Sequence, residues 1–228
     1  MPKTPPATTN EANPSVYNRL VMVIVYTIWV HGVCHPLAWG ISNRWLRRAY
    51  RTWPGQVHMT IGPGNGRFLR HLPKRVRVLH LMDLNASCLT MATRILRRRH
   101  ITPHAHLQDV LAQWEDLADN SVDSIDCMMV MHCLRGSSIA DKTAFFAEAH
   151  RVLKTRGVFF GATILSGGSG VRVNRFARLL MGIYNGAKNV FANTGDTSDH
   201  LCAQLKAHFP DADFQVQGCT GTWVAVKR

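Results

Sequence analysis

Acidic residues are scarce in this sequence. Asp and Glu together number 14 against 27 Lys and Arg, which gives a formal net charge of +13 at pH 7. Such a balance is typical of proteins that meet nucleic acid, an anionic membrane surface or an anionic substrate. The basic residues form runs beside apolar helical patterns, which favours solvated helix faces over one polyanion-binding face. The runs are Arg44, Arg47, Arg48 and Arg51; Arg67, Arg70, Lys74, Arg75 and Arg77; and Arg94, Arg97, Arg98 and Arg99.

Paired cysteines are also lacking. The six cysteines are scattered, and no two of them form a CxxC pair, which excludes a zinc ribbon and argues against a small secreted disulfide scaffold. We therefore expect a reducing compartment and no metal site. No basic segment at the N-terminus leads directly into an apolar core, so a signal peptide is not supported and a cytoplasmic location is predicted.

The chain length fits one large domain with an appendage. With 228 residues, 46% of them hydrophobic, the chain can bury a sizeable core, which excludes wholesale disorder. The stretch 1–15 is rich in Pro, Thr and Asn and is predicted to be a disordered tail. Residues 16–52 are predicted to form an N-terminal helical cap, and residues 53–228 the main domain.

An apolar run without Asp, Glu, Lys or Arg extends over residues 20–40. It is long enough to cross a bilayer, but His31, His35 and Pro36 interrupt it. Pro36 is expected to divide it into a helix ending near residue 33 and a second helix starting near Pro36. A buried or substrate-covering helical hairpin is the favoured interpretation. Weak contact with a membrane surface through residues 20–40 stays open.

Short apolar runs alternate with helical patterns from residue 53 onward. This alternation predicts an α/β fold with a doubly wound, mostly parallel sheet, a Rossmann-like arrangement with helices on both faces. The predicted strands are 57–61, 76–82, 105–107, 124–131 and 158–165, and the predicted helices follow the first glycine loop and cover 84–99 and 142–153.

Three successive strand ends carry residues suited to a ligand. Gly62, Gly64 and Gly66 follow the first strand, where they allow a tight turn and close approach of the backbone. Asp83 ends the second strand, where a carboxylate accepts hydrogen bonds from ribose hydroxyls, and Asp109 ends the third, within reach of an adenine amino group. Each alone also fits a turn or a helix cap, but together the spacing predicts one nucleoside-binding site.

This arrangement resembles the class I S-adenosylmethionine-dependent methyltransferases over roughly residues 55–165. A closer resemblance, to the branch that modifies small molecules of secondary metabolism, extends into both flanks. The matching segments are 58–66, 79–85, 108–110, 122–134 and 149–165, with 26–39, 180–185 and 191–193 in the flanks. The resemblance implies S-adenosyl-L-methionine as cofactor, and it adds Thr60, Leu84, Val110 and Met131 to the glycines and the two aspartates as cofactor-binding residues.

One position departs from the family pattern. The family usually has an acidic residue two positions before the first glycine, which helps to hold the ammonium and methionine end of the cofactor. Thr60 occupies that position here and offers a hydroxyl without a charge. A protein of the same fold that binds or rearranges a ligand without methyl transfer is therefore an alternative.

The resemblance also indicates the acceptor side. His132, just after the fourth strand, is the candidate general base for a protonated acceptor such as a phenol, a carboxylic acid or an enolisable carbon, with His31 and His35 as second candidates. The predicted substrate-binding residues are Tyr26, Trp29, His31, Trp39, Tyr184 and Asn185. The apolar N-terminal segment favours a hydrophobic small molecule as the acceptor of an O- or C-methylation.

Two further classes are disfavoured. Enzymes that methylate nucleobase amino groups usually carry an acidic residue or Asn, two prolines and an aromatic residue after the fourth strand, where this chain has Val130, Met131 and His132. An RNA methyltransferase would account for the positive charge, but no aromatic-rich RNA-reading motif is present, so nucleic acid is not the expected partner. A dinucleotide-dependent oxidoreductase needs the longer GxGxxG spacing in place of GPGNG.

Overall fold

A computed structural model describes residues 32–99, 101–186 and 190–228. The strands are β1 Val57–Ile61, β2 Val78–Asp83, β3 His104–Leu107, β4 Val122–Met128, β5 Leu153–Ile164, β6 Asp213–Gln217 and β7 Thr220–Val226. The helices are α1 Asn43–Thr52, α2 Ala86–Arg97, α3 Thr143–Val152, α4 Arg175–Asn185 and α5 Ser198–His208. Short 3₁₀ turns cover Arg67–His71, Met131–Cys133 and Ile139–Lys142.

The seven strands form one sheet in the order β3-β2-β1-β4-β5-β7-β6. The pairs among β1 to β5 are parallel, and β7 is antiparallel to both β5 and β6. This confirms the predicted doubly wound, mostly parallel α/β sheet. Because the strand order reverses next to β1, the carboxyl ends of β1 and β4 border the crevice where open α/β sheets bind ligands.

Two apolar layers cover the sheet. On one face, α3 and α5 bury an aromatic-rich core that includes Phe145, Phe159 and Trp223. On the other face, α1, α2 and α4 pack over Leu79, Leu81 and Phe160. Both faces are therefore covered by helices, as apolar parallel strands require.

The helix predicted after the glycine loop is wrong in extent. In its place stands the single 3₁₀ turn Arg67–His71. Leu72 precedes Pro73, and a residue before proline is restricted to extended backbone; Leu72 accordingly has ψ 135°. The chain therefore leaves the turn at Leu72 and reaches β2 at Val78.

The predicted helix break at Pro36 is also wrong. Helical turns of the wide π type run through Pro36 over residues 32–39. The break falls at Gly40, whose φ of 77° lies in the left-handed region, and α1 then begins with the Ser42 side chain capping the backbone N–H of Trp45. No helix within the described ranges is long and apolar enough to cross a membrane.

Two strand boundaries differ from the predicted ones for a backbone reason. β4 ends at Met128, three residues earlier than expected, because Met129 takes φ 59° and turns the chain out of the sheet. β5 starts at Leu153, five residues earlier than expected, and passes through Arg156 at φ 66°. Residues in the left-handed region are hard to foresee when they are not glycine.

Candidate active site

The glycine loop lies at the carboxyl end of β1. Gly62, Gly64 and Gly66 all have positive φ, at 61°, 53° and 71°. A Cβ on Gly62 would stand 2.4 Å from a methyl carbon of Val130, the residue that follows Met129 after β4. The two strand exits therefore pack against each other so closely that only glycine fits at position 62.

A cleft of about 460 Å³, part of it open to solvent, lies against this loop. Its lining includes the backbone of Gly62 and Gly64 together with His35, Tyr50, Phe68 and Met129. Met129 is a non-glycine residue in the left-handed region, a conformation that costs on the order of 1 kcal/mol or more and tends to occur at functional sites. The cleft thus joins the ends of β1 and β4 to the helical layer of residues 32–52.

Asp83 lies where it was expected, at the carboxyl end of β2 beside β1. Its carboxylate accepts a hydrogen bond from the backbone N–H of Asn85 at 2.8 Å. Burial raises the pKa of Asp83 to about 6. Its neighbour Leu84 exposes 44% of its surface, so the chain is open to solvent directly after Asp83.

Asp109 follows β3 and already has a cationic partner. Its carboxylate forms an ion pair with Arg135 and accepts the backbone N–H of Leu111 at 2.9 Å. Sequence reasoning missed Arg135, because nothing local relates it to Asp109. The side chains of Val110 and Met131 pack in the core on the α3 and α5 face.

His132 stands in a buried aromatic cluster. Its ring meets Phe191 edge-on at 4.5 Å, and Phe191 also contacts Trp39 and Tyr184, with centroids at 5.9 and 4.9 Å. Two of the predicted substrate-binding residues, Trp39 and Tyr184, are therefore brought together with His132. Burial, and then the charges of Lys142 and His35, lower the pKa of His132 to about 3, which keeps the imidazole neutral.

Asn185 has a different surrounding. Its amide nitrogen donates to the carbonyl of Met181 and to the side chain of Asn193, both at 2.9 Å, and its oxygen accepts the backbone N–H of Asn193 at 3.2 Å. These bonds tie the end of α4 to the segment that begins at residue 190. Tyr26, Trp29 and His31 lie outside the described residues.

Thr60, which replaces the usual acidic residue of the family, lies beside the carboxylate of Asp126. Thr60 is buried, and its hydroxyl donates to the carboxylate of Asp126 at 2.7 Å. Tyr50 donates to the same carboxylate at 2.8 Å, and His58 lies 3.0 Å from it. Sequence reasoning missed Asp126, although a carboxylate within the continuous apolar run of β4 was a signal.

The described residues fit S-adenosylmethionine. The backbone of Gly62 and Gly64 borders the cleft, a carboxylate ends β2 as a ribose requires, and the cleft contains polar and aromatic side chains. The predicted cofactor-binding residues Gly62, Gly64, Gly66 and Asp83 lie at the carboxyl ends of the neighbouring strands β1 and β2.

Comparison with known proteins identifies the family. A family model described as a methyltransferase domain matches residues 59–161. Demethylluteothin O-methyltransferase of Streptomyces thioluteus is 33% identical over 204 residues, covering 88% of this chain and 85% of that protein. The physcion biosynthesis cluster O-methyltransferase of Aspergillus chevalieri is 31% identical over 232 residues, covering 100% of this chain and 99% of that protein.

A solved structure shares the fold. Geranyl diphosphate C-methyltransferase from Streptomyces coelicolor A3(2), in complex with Mg²⁺, geranyl diphosphate and S-adenosyl-L-homocysteine, superposes with a TM-score of 0.59 at 11% identity. The match covers 81% of this chain and 78% of that chain.

The chain belongs to the methyltransferase family. It is an S-adenosylmethionine-dependent methyltransferase that acts on a small molecule. The alternative of a fold that has lost methyl transfer is not favoured, despite Thr60.

Proposed function

We propose that the cofactor lies along the carboxyl ends of β1, β2 and β3. The glycine loop holds its centre, Asp83 and Leu84 its ribose, and Asp109 with the backbone of Val110 its adenine. The methionine end enters the cleft beside Thr60 and the backbone of Met131. Bound there, S-adenosylmethionine supplies the methyl group from its sulfonium, and the protein contributes alignment and a dry pocket.

We propose further that the acceptor is a hydrophobic small molecule of secondary metabolism with a hydroxyl group, and that the product is a methyl ether. This proposal rests on the buried cluster of Trp39, Tyr184 and Phe191 around His132. The cluster is near His35, which lines the cleft and helps to lower the pKa of His132. The names of the two relatives, both O-methyltransferases, support oxygen as the methylated atom. Residues Tyr26, Trp29, His31 and Asn185 remain predicted contributors to this acceptor site.

His132 remains the candidate catalytic residue, and its hydrogen bonds limit what it can do. The backbone N–H of Ile164 donates to Nδ1 at 3.4 Å, and the Thr163 hydroxyl lies 3.3 Å from the same nitrogen. Nδ1 is therefore an acceptor, and the proton of the neutral ring is on Nε2. A ring of such low basicity removes a proton poorly, so we propose that the acceptor reacts as a phenolate whose proton has already left to solvent. His132 Nε2–H then donates to the phenolate oxygen and orients it toward the methyl group.

Single-turnover kinetics test this role. His132→Ala is expected to slow methyl transfer about a hundredfold with unchanged cofactor affinity, and His132→Gln, whose amide also donates, is expected to recover part of the rate. If both variants react as fast as the original protein, His132 has no role in the reaction. If Gln behaves like Ala and the rate follows one ionisation near neutral pH, His132 acts as a base.

Mass spectrometry and NMR of the product identify the methylated atom. A screen of apolar phenols is expected to yield methoxy products. C-methyl products in their place would contradict the choice of oxygen, and methylation of RNA without any small-molecule turnover would contradict the choice of acceptor.

The remaining expectations concern the whole chain. We propose that residues 16–52 cap the acceptor site, that residues 53–228 form the methyltransferase domain, and that residues 1–15 are a tail. His35 and Tyr50, both from residues 16–52, line the cleft, and this supports the cap. We also propose a reducing, cytoplasmic compartment, since none of the six cysteines, all of which the structure describes, forms a disulfide. We propose at most weak membrane contact through residues 20–40.

A further inference from the structure

Asp126 stands beside the position where the family carries its acid. Parallel pairing of β1 and β4 places Asp126 directly opposite Thr60. The carboxylate of Asp126 is completely buried and accepts the hydroxyl of Thr60 at 2.7 Å. A carboxylate is thus present at this point of the sheet, carried by β4 and not by β1.

The surrounding donors fit an ionised carboxylate. One oxygen of Asp126 accepts from Tyr50 at 2.8 Å, and the other accepts from Thr60 and lies 3.0 Å from Nε2 of His58. The nearest partner of Nδ1 of His58 is the Ser124 hydroxyl at 2.8 Å, closer than the Ser124 carbonyl at 3.1 Å. Nε2 of His58 can therefore donate to the carboxylate, and three donors, from Tyr50, Thr60 and His58, surround a group that only accepts when it is ionised.

Tyr50 connects the carboxylate of Asp126 to the cleft. It lies on α1, stacks on Phe68 with ring centroids at 5.9 Å and planes at 6°, and lines the cleft together with the backbone of Gly62. A hydroxyl that donates to a carboxylate becomes a stronger acceptor on its remaining lone pairs. The route from Asp126 to the cleft is therefore one hydrogen bond long.

We propose that Asp126 provides, through Tyr50 and Thr60, the negative charge that holds the ammonium end of the cofactor in place of the missing acid at position 60. Asp126 is then a positioning residue. The proposal rests on the proposed placement of the cofactor at the glycine loop.

Calorimetry with two ligands separates this role from a structural one. S-adenosylhomocysteine carries the amino-acid end, and 5′-methylthioadenosine lacks it. In Asp126→Asn, affinity for the former should fall about tenfold or more, and affinity for the latter should stay within about twofold. Asp123→Asn, on the same strand but bonded to Lys154, is the matched control and should change neither. Equal losses for both ligands, or no loss, would overturn the proposal.

Three further variants keep the test decisive. Thr60→Asp combined with Asp126→Asn returns the charge to the family position and should restore affinity for S-adenosylhomocysteine; a folded double variant without recovery contradicts the proposal. If Asp126→Asn does not fold, Tyr50→Phe replaces it, with the same selective loss expected. Gly62→Ala tests the placement of the cofactor separately, because it should weaken both ligands. If Gly62→Ala binds S-adenosylhomocysteine and 5′-methylthioadenosine with unchanged affinity, the proposed placement of the cofactor at the glycine loop is wrong. The role of Asp126, which rests on that placement, then fails with it.

Discussion

At the scale of single residues, the sequence predicts the position of a residue along a strand better than its contacts with residues far away in the chain. The positions of Gly62 and Asp83 at strand ends could be predicted, because each residue follows a short apolar run that is typical of a strand. Asp126 could not be related to Thr60, since 66 residues separate them and only the register of β1 on β4 brings them together. Arg135 was missed as the partner of Asp109 for the same reason. Functional residues that directly follow a strand can be predicted from the sequence. Contacts between residues on different strands can be predicted only when the strand pairing is known.

Gly62→Ala should destabilise the protein by about 2 kcal/mol, because the new Cβ would meet Val130 at 2.4 Å and φ is 61°. Urea unfolding measures the free energy. Gly167→Ala is the control, since a Cβ there meets nothing within 4 Å and the change should be within about 0.5 kcal/mol. Equal stability of the two variants would contradict the close contact between the loop and Val130.

His132 should make folding less favourable as the pH falls. Its pKa is lowered from 6.5 to about 3, so the unfolded chain binds a proton at this residue between those values and the folded protein does not. Stability is therefore lost as the pH falls through 6.5. His132→Gln should remove about 2 kcal/mol of the loss between about pH 7.5 and about pH 5. If the original protein and His132→Gln lose the same free energy of unfolding over this pH range, His132 binds a proton as readily in the folded state as in the unfolded state.

At the scale of elements, an interior ion pair links the end of β4 to the segment just before α5. The Lys142 ammonium donates to the Met131 carbonyl at 3.0 Å and to both carboxylate oxygens of Asp196 at 3.0 and 3.1 Å, and both side chains are fully buried. Burial raises the pKa of Asp196 to about 6, against the attraction of Lys142. The pair fixes the backbone that carries His132.

Lys142→Met should cost about 3–5 kcal/mol, because it leaves a buried carboxylate and a carbonyl without their donor. Lys154→Met is the matched control: its ion pair with Asp123 is partly exposed and should be worth less than about 1 kcal/mol. Denaturant titration of both variants gives the comparison. A cost as small for Lys142 as for Lys154 would mean that the interior ion pair contributes little.

The elements themselves were largely predictable where apolar periodicity is strong. β1 agrees with its prediction at both ends, and α2 and α3 agree within two residues. The failures lie where one backbone angle decides: Leu72 before Pro73, the left-handed Gly40 and the left-handed Met129. The Leu72 angle follows from the next residue, Pro73, whereas the left-handed angles of Gly40 and Met129 depend on packing, which apolar spacing does not record.

At the scale of the whole molecule, the positive charge is unevenly placed. From residue 12 to residue 108 the only acidic residue is Asp83, and all three basic runs fall in this part of the chain. α1, the 3₁₀ turn Arg67–His71 and α2 bring these runs to one face of the sheet. Among the described residues, no arginine of α1, that turn or α2 forms an ion pair with a carboxylate. The total positive charge could be calculated from the composition, but its concentration on one face of the sheet could not be predicted from it.

Self-repulsion on that face should make stability depend on salt. Raising NaCl from about 0.02 M to about 0.3 M shortens the screening length, so the midpoint of thermal unfolding should rise by a few degrees. Replacing Arg47 and Arg51 by Gln should reduce the rise, because both charges act on His71. A midpoint that falls with NaCl would mean that attraction, not repulsion, dominates the surface.

The central claim is that this chain binds S-adenosylmethionine at its glycine loop and β2 carboxylate and transfers the methyl group to a small molecule. Calorimetric titration of the full chain and of Asp83→Ala with S-adenosylmethionine tests it most directly. We expect micromolar affinity for the full chain and a loss of about tenfold or more in the variant, with Asp211→Ala, an exposed carboxylate paired with Arg228, unchanged. No binding by the full chain, or equal affinity in the full chain and Asp83→Ala, would contradict the account.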